Sequence, residues 1–168
     1  MDFKTNEGVM EIFRNLNGLG TENNFFVAFK DTTKQGMKYG ALGGAVGGAI
    51  AAAAAFSSGV LEGLEGFDGL LINQTESGLG IVPLKNKGIQ LMLNPDKMEA
   101  QVDKYSFIPN ENIDEIIVKN FNIFNKKVQK IKLKIGGKTL DLMARINEKT
   151  IPYQEANFTK FMNKYKKK

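Results

Sequence analysis

Residues 130–142 read KIKLKIGGKTLDL, two runs of alternating apolar and polar residues joined by two glycines. A two-residue Gly-Gly loop suits a type I′ turn, which needs positive φ at both central positions and matches the twist of antiparallel strands. Such a turn places Leu133 opposite Leu140 and Ile131 opposite Leu142. Every apolar residue then faces one side, which predicts a β-hairpin with one buried face and one face in water.

Short strand-like runs precede the hairpin, and each is bounded by Gly, Asn, Lys or Pro turn signals. Their close spacing favours an antiparallel meander, because parallel strands need long crossover connections. After the hairpin a helix is predicted to begin near Pro152, since proline is favoured at the first helical position. The apolar residues of this helix have i, i+3, i+4, i+7 spacing: Phe158, Phe161, Met162 and Tyr165. The predicted strands are 69–73, 79–84, 89–93, 98–102, 105–108 and 113–123.

The first 36 residues form a separate N-terminal segment with one predicted helix and one predicted strand. The helix is indicated by apolar residues one turn apart: Val9, Ile12, Phe13 and Leu16. Thr5 or Asn6 is its expected N-cap. Residues 25–29, with the sequence FFVAF, are rich in aromatic and β-branched side chains, and this composition predicts the strand.

Residues 37–65 form a predicted insertion that is rich in glycine and alanine, and its residues 39–61 carry no charge. Glycine recurs there at every fourth position, so a helix would present a furrow that lets another backbone approach closely. The candidate furrow consists of Gly36, Gly40, Gly44 and Gly48. Three interpretations remain open: a helix or helical hairpin packed on its own domain or on another copy, a weak membrane-inserting zipper, and a flexible insertion.

From about residue 67 onward the chain resembles the bacterial pleckstrin-homology-like (PH-like) domains. The runs that carry the resemblance are 69–75 (GLLINQT), 105–109 (YSFIP), 113–116 (IDEI), 136–138 (GGK) and the helix over 158–165. The chain departs from it at 76–78 (ESG), where many of these domains have an arginine-containing turn. The resemblance implies a mainly β fold with α over residues 66–168, an antiparallel barrel or sandwich of about seven strands capped by a C-terminal helix. It also implies a binding or scaffolding module, whose ligand must be argued from the site.

The sequence contains neither cysteine nor histidine. Disulfides, thiol nucleophiles, the usual zinc ligands and the commonest general base near neutral pH are therefore excluded. We predict a protein without enzymatic activity, cofactor or metal. The first residues carry charges of both signs and no apolar run, so no signal peptide is predicted. The expected location is the cytoplasm, either free, peripheral to the membrane or inserted in it.

Positive charge is concentrated towards the C-terminus. Residues 1–118 hold 9 basic and 15 acidic side chains, whereas residues 119–168 hold 14 basic and 3 acidic ones. This asymmetry predicts an anionic partner, and the alternative is ordinary solubility of an outer strand face. The candidate anion- or lipid-binding residues are Lys126, Lys127, Lys130, Lys132 and Lys134.

Two functions are predicted from these features. The first is a non-enzymatic binding or adaptor module of PH-like fold that acts at an anionic membrane surface, with a protein or anionic lipid as partner. The second is a self-associating or membrane-inserting protein that works through the glycine zipper. Nucleic acid is disfavoured, because the aromatic residues that could stack on bases are expected in the core. These residues are Tyr105, Phe107, Phe121 and Phe124.

Overall fold

The computed structural model describes residues 2–31, 66–87 and 94–166. The helices of this part are α1, Asn6–Asn15, and α2, Gln154–Tyr165. The strands are β1 Asn24–Lys30, β2 Gly69–Gln74, β3 Gly78–Asn86, β4 Met98–Ala100, β5 Ser106–Pro109, β6 Ile113–Asn120, β7 Val128–Ile135 and β8 Lys138–Arg145. Short 3-10 turns cover Pro95–Lys97, Val102–Lys104 and Asn110–Asn112.

The eight strands form one antiparallel sheet. Their order is β4-β3-β2-β1-β8-β7-β6, and β5 pairs with β3 beside this path. Among the described residues, the strands at the two ends of the order do not pair with each other, so the sheet is open and of sandwich type. The prediction of a mainly β fold with a C-terminal helix is confirmed.

Strand β1 lies in the middle of the sheet, between β2 and β8, and all but its last residue are buried. Successive side chains of a strand point to opposite faces. Phe26 and Ala28 therefore join one hydrophobic cluster, whereas Phe25, Val27 and Phe29 join a second cluster on the other face. The N-terminal segment and the strands after residue 66 thus build a single sheet with two cores.

Helix α1 packs in the second cluster. Its N-terminus is capped by Thr5, whose Oγ1 accepts a hydrogen bond from the Gly8 N–H at 3.0 Å, one of the two caps predicted. Ile12 and Phe13 are fully buried on its predicted apolar face. The ring of Phe13 stacks on that of Phe25 of β1, with centroids 5.4 Å apart.

Helix α2 packs on the first cluster with the face that its sequence predicts. Phe158 and Phe161 lie against Phe26 of β1, at centroid distances of 5.4 and 4.5 Å. Such aromatic pairs add to the free energy gained from burial alone.

The start of α2 differs from the prediction by two residues, since the helix begins at Gln154 and not at Pro152. Ile151 O accepts a hydrogen bond from the Gln154 N–H at 3.1 Å and closes a turn. Pro152 occupies the second position of that turn, where its fixed φ is favoured.

The β7–β8 hairpin has the predicted register, with Leu133 opposite Leu140. Gly136 and Gly137 have φ values of 56° and 77°. Both values are positive, as a type I′ turn requires.

One predicted strand is too long and another lies outside the described residues. The strand predicted over 113–123 ends at Asn120. Beyond that point, the side chain of Asn122 takes hydrogen bonds from the backbone, in competition with the ladder of the sheet. The strand predicted over 89–93 and the insertion over 37–65 lie in the parts of the chain that are not described.

Candidate functional site

The lysines of β7 form a row on the outer face of the hairpin, as predicted, and each of them lies beside a carboxylate. The pairs, with their N–O distances, are Lys130 and Asp31 at 3.5 Å, Lys132 and Asp141 at 3.9 Å, and Lys134 and Glu115 at 2.6 Å. Opposite charges at these distances largely cancel each other's field farther away. The row therefore presents little net positive charge to a partner.

Ion pairing divides the five predicted anion-binding lysines into two groups. Lys126 and Lys127 lie in the loop between β6 and β7, residues 121–127, and not on the strand. Within residues 2–31, 66–87 and 94–166, no carboxylate lies within 4.0 Å of either ammonium group. The lysines of the loop therefore present net positive charge, whereas the charges of the strand lysines are neutralised by carboxylates.

Two asparagine side chains shape the β6–β7 loop. Asn122 Oδ1 accepts hydrogen bonds from the N–H groups of Phe124 and Asn125, at 3.0 and 2.6 Å. Asn125 Oδ1 accepts one from the Lys127 N–H at 3.1 Å. Bonds of this kind stabilise tight turns, because a short polar side chain replaces a backbone acceptor.

A buried glutamine braces the base of the loop. Gln129 Nε2 donates to Asn120 Oδ1 at 3.1 Å and to the Lys126 carbonyl at 2.8 Å. Asn120 Oδ1 also accepts from Lys166 Nζ at 2.8 Å, which brings the C-terminal end of α2 to the same place. The loop is thus held on both sides, with a further lysine at its base.

An open groove of about 710 Å³ lies between this loop and the residues that follow β8. It is lined by Asn125, Lys126, Lys127, Val128, Arg145, Ile146, Asn147, Lys149 and Glu155. Glu148 accepts from Arg145 at 2.7 Å, and Glu155 accepts from the Asn147 side chain at 2.8 Å. In the described part of the chain, Lys149 has no carboxylate within 4.0 Å. We call Lys126, Lys127, Lys149 and Lys166 the basic end.

The tip of the β6–β7 loop is apolar and exposed. Ile123 and Phe124 are 78% and 90% exposed. The expectation that Phe124 lies in the core is wrong, because β6 ends before it. The same expectation is wrong for Phe107 of β5, which is 40% exposed. The signal that could have revealed the tip is Asn-Ile-Phe-Asn over 122–125, in which two turn formers enclose two apolar residues.

Tyr105, another of the four aromatic residues expected in the core, is half-buried. Its ring meets that of Phe13 edge to face at a centroid distance of 6.2 Å. Burial raises the pKa of its hydroxyl. Tyr105 therefore contributes to packing around α1 and offers no open stacking surface.

The turn at residues 76–78 holds a carboxylate that sequence reasoning did not single out. Glu76 Oε1 accepts from the Thr21 N–H at 3.0 Å, and Oε2 accepts from the Glu22 N–H at 3.2 Å. Hydrogen bonds from the backbone N–H groups of Thr21, of Glu76 itself and of Glu22 lower the pKa of Glu76 from 4.5 to about 2. Gly20 makes room for this carboxylate, since a Cβ there would overlap it. Glu76 thus ties the α1–β1 loop to the β2–β3 turn.

The candidate glycine furrow at Gly36, Gly40, Gly44 and Gly48 lies outside the described residues, so function through a glycine zipper stays a prediction. In the described ranges, neither helix has the length and apolar character to cross a bilayer. The same ranges hold no group of three or more acidic side chains placed to bind a metal ion.

The chain matches no protein-family model, no curated protein and no solved structure. A function must therefore be argued from the surface itself. The uncompensated lysines and the exposed apolar tip lie together on one loop, which makes this end of the sheet the candidate site.

Proposed function

We propose that the protein is a non-enzymatic binding or adaptor module of PH-like fold that acts at an anionic membrane surface. The observation that supports this most directly is the uneven compensation of its lysines. Those on β7 each face a carboxylate, whereas Lys126, Lys127 and Lys149 line an open groove and, among the described residues, have no carboxylate within 4.0 Å of their ammonium groups. A cluster of uncompensated cations attracts a polyanionic surface.

The fold supports a role in binding. An antiparallel sheet followed by one C-terminal helix is the layout that the PH-like resemblance implies. Both faces of its central strand are filled with hydrophobic side chains, so the interior around β1 is occupied by packing. Ligand contacts then fall to loops and strand ends, which a rigid scaffold positions.

Simple electrostatics sets the expected strength of this attachment. Each lysine close to an anionic leaflet contributes about 1 kcal/mol, so the four lysines of the basic end contribute about 4 kcal/mol at low salt. That free energy corresponds to a dissociation constant of about 1 mM. The attachment is therefore weak, reversible and sensitive to salt, because the screening length falls to about 10 Å at 0.1 M.

Sedimentation with vesicles that contain phosphatidylserine tests the proposal. We expect the full chain to bind at low salt and to bind less as salt rises. The variant Lys126→Gln/Lys127→Gln should lose about 30-fold in affinity, from about 1 kcal/mol per lysine. Neutral phosphatidylcholine vesicles serve as the lipid control, and we expect much weaker binding to them, because the electrostatic contribution is absent.

The β7 row offers a matched control variant. Lys132→Gln/Asp141→Asn removes a paired lysine together with its carboxylate. We expect it to lose less than about threefold, because the net charge of the protein does not change. Absence of binding to acidic vesicles at low salt, or an equal loss in the two variants, would show the proposal to be wrong.

A further inference from the structure

We propose that Ile123 and Phe124 insert into the acyl chains of the same anionic membrane, an insertion that rests on the proposed function. The β6–β7 loop then serves as an apolar wedge between the lysines of the basic end. Insertion supplies affinity that salt does not screen, and the weak electrostatic attachment needs such a contribution.

The tip of the β6–β7 loop is highly exposed. Ile123 and Phe124 are the most exposed large hydrophobic residues of the described part of the chain, at 78% and 90%. Val102 and Phe107 follow at 37% and 40%. Single exposed apolar side chains are ordinary on a protein surface. Two large neighbours at the end of one loop instead form a continuous apolar surface, which gains free energy on leaving water.

The hydrogen bonds of the loop allow it to leave water. Backbone N–H groups without partners are costly in an apolar medium. The N–H groups of Phe124, Asn125 and Lys127 are all bonded to asparagine side chains of the same loop, at 2.6 to 3.1 Å. The tip can therefore enter the boundary of the bilayer while these three N–H groups keep their hydrogen-bond partners.

The lysines next to the tip fit an anionic leaflet. Lys126 and Lys127 follow Phe124 by two and three residues, and Lys166 donates to Asn120 at the base of the loop. Lysine stems lie along apolar surface while their ammonium groups stay at the level of the phosphates. Apolar groups at the boundary enter about 5–10 Å, which suits a tip of two side chains.

Other occupants fit this surface less well. A specific protein partner or a second copy buries about 800 Å² per partner, far more than two side chains supply. A single-stranded nucleic acid would stack a base on Phe124, but Ile123 has no flat surface for stacking. An acyl region takes both side chains, so the pair favours the bilayer.

The chain contains no tryptophan, so a tryptophan placed at the tip reports on the tip alone. In the variant Phe124→Trp we expect a blue shift of the emission with phosphatidylserine vesicles, and quenching by lipids with brominated acyl chains. Phe107→Trp in β5 is the control, and we expect its emission to stay unchanged.

A second variant measures how much insertion contributes. Ile123→Ser/Phe124→Ser should bind acidic vesicles about 10- to 100-fold more weakly, because two apolar side chains no longer leave water. Its remaining binding should vanish at about 0.5 M salt, where charges are screened within a few ångströms, whereas the wild type should retain part of its binding. Thermal melting should match that of the wild type, because both residues are exposed.

The outcomes distinguish the insertion from the proposed function. If the chain binds acidic vesicles through Lys126 and Lys127, but Phe124→Trp keeps its emission and the serine variant binds like wild type, insertion is wrong and the membrane function stands. If the wild type binds no vesicles, both are wrong. If single-stranded RNA quenches Phe124→Trp and vesicles leave it unchanged, the tip belongs to a nucleic-acid site and insertion is wrong.

Discussion

Gln154 bonds both backbone polar groups of Val27 with one side chain. Its Oε1 accepts from the Val27 N–H at 2.8 Å, and its Nε2 donates to the Val27 carbonyl at 3.0 Å. Nε2 also donates to the Arg145 carbonyl at 2.9 Å. Strands β1 and β8 pair only at Phe29 and Lys30 of β1, so the glutamine replaces the ladder where the two strands separate. The first turn of α2 thereby joins the two halves of the sheet.

Gln154→Ala should destabilise the fold by at least about 2 kcal/mol. The change removes the hydrogen-bond partner of the Val27 N–H, the Val27 carbonyl and the Arg145 carbonyl. Gln154 is only 1% exposed, and each buried polar group without a partner costs about 1–3 kcal/mol. Urea unfolding followed by circular dichroism measures the loss. Asn163→Ala on the exposed face of the same helix is the control, and we expect a change within about 0.5 kcal/mol. A similar small change for Gln154→Ala would contradict the bridging role.

The carboxylate of Glu76 should make stability depend on acid pH. Its pKa falls from 4.5 to about 2 on folding, so its contribution is complete above pH 4.5 and is lost as the pH falls towards about 2. We expect the difference in melting temperature between wild type and Glu76→Gln to be constant at neutral pH and to shrink through that window. Glu111→Gln, at an exposed carboxylate, is the control. A difference that is independent of pH would argue against the role of the charged form.

The parts of the fold that sequence reasoning predicted are those set by local chemistry. The register of the β7–β8 hairpin follows from Gly136 and Gly137, because a two-residue turn allows only one pairing of its strands. The buried strand at residues 25–29 and the apolar face of α2 follow in the same way from composition and spacing. Each signal lies within a few residues of the structure that it predicts.

Contacts between distant parts of the chain could not be predicted. Asp31 neutralises Lys130 from 99 positions away, and Gln154 reaches Val27 across 127 positions. A single sequence shows the residue types at both ends of such contacts but not their distance in space. For this reason the sequence predicts that the five candidate lysines form one site. In the structure, three of them lie in ion pairs on β7 and the other two lie in the β6–β7 loop.

The β7–β8 turn should tolerate asparagine and resist alanine. At Gly136 and Gly137 an added Cβ would meet no atom within 4 Å, so any penalty comes from the positive φ alone. Gly137→Ala should therefore cost about 1–2 kcal/mol, as expected for a side chain in the left-handed region. Gly136→Asn should be nearly neutral, because Asn-Gly is a favoured type I′ pair. Equal losses in urea unfolding would be inconsistent with this turn.

Lys130→Gln and Lys126→Gln each remove one positive charge, but the first should mainly lower stability and the second should mainly weaken binding to acidic vesicles. The Asp31 side chain that Lys130 faces is only 2% exposed, so Lys130→Gln weakens the compensation of a buried carboxylate and should cost about 2 kcal/mol of stability. Lys126 is exposed and lies near no described carboxylate, so Lys126→Gln should leave stability within about 0.5 kcal/mol. For binding to acidic vesicles we expect the reverse order, with Lys126→Gln losing about fivefold and Lys130→Gln little.

The buried partner provides an internal check on the effect at Lys130. Adding Asp31→Asn to Lys130→Gln removes the buried charge as well, so it should restore part of the stability that Lys130→Gln loses. Urea unfolding measures the stability of Lys130→Gln, Lys126→Gln and the double variant Asp31→Asn/Lys130→Gln. Vesicle sedimentation measures the binding of the same three proteins. If Lys130→Gln weakens vesicle binding as much as Lys126→Gln does and leaves stability unchanged, the row on β7 is a binding surface. The division of the lysines into a paired strand and an uncompensated loop would then be wrong.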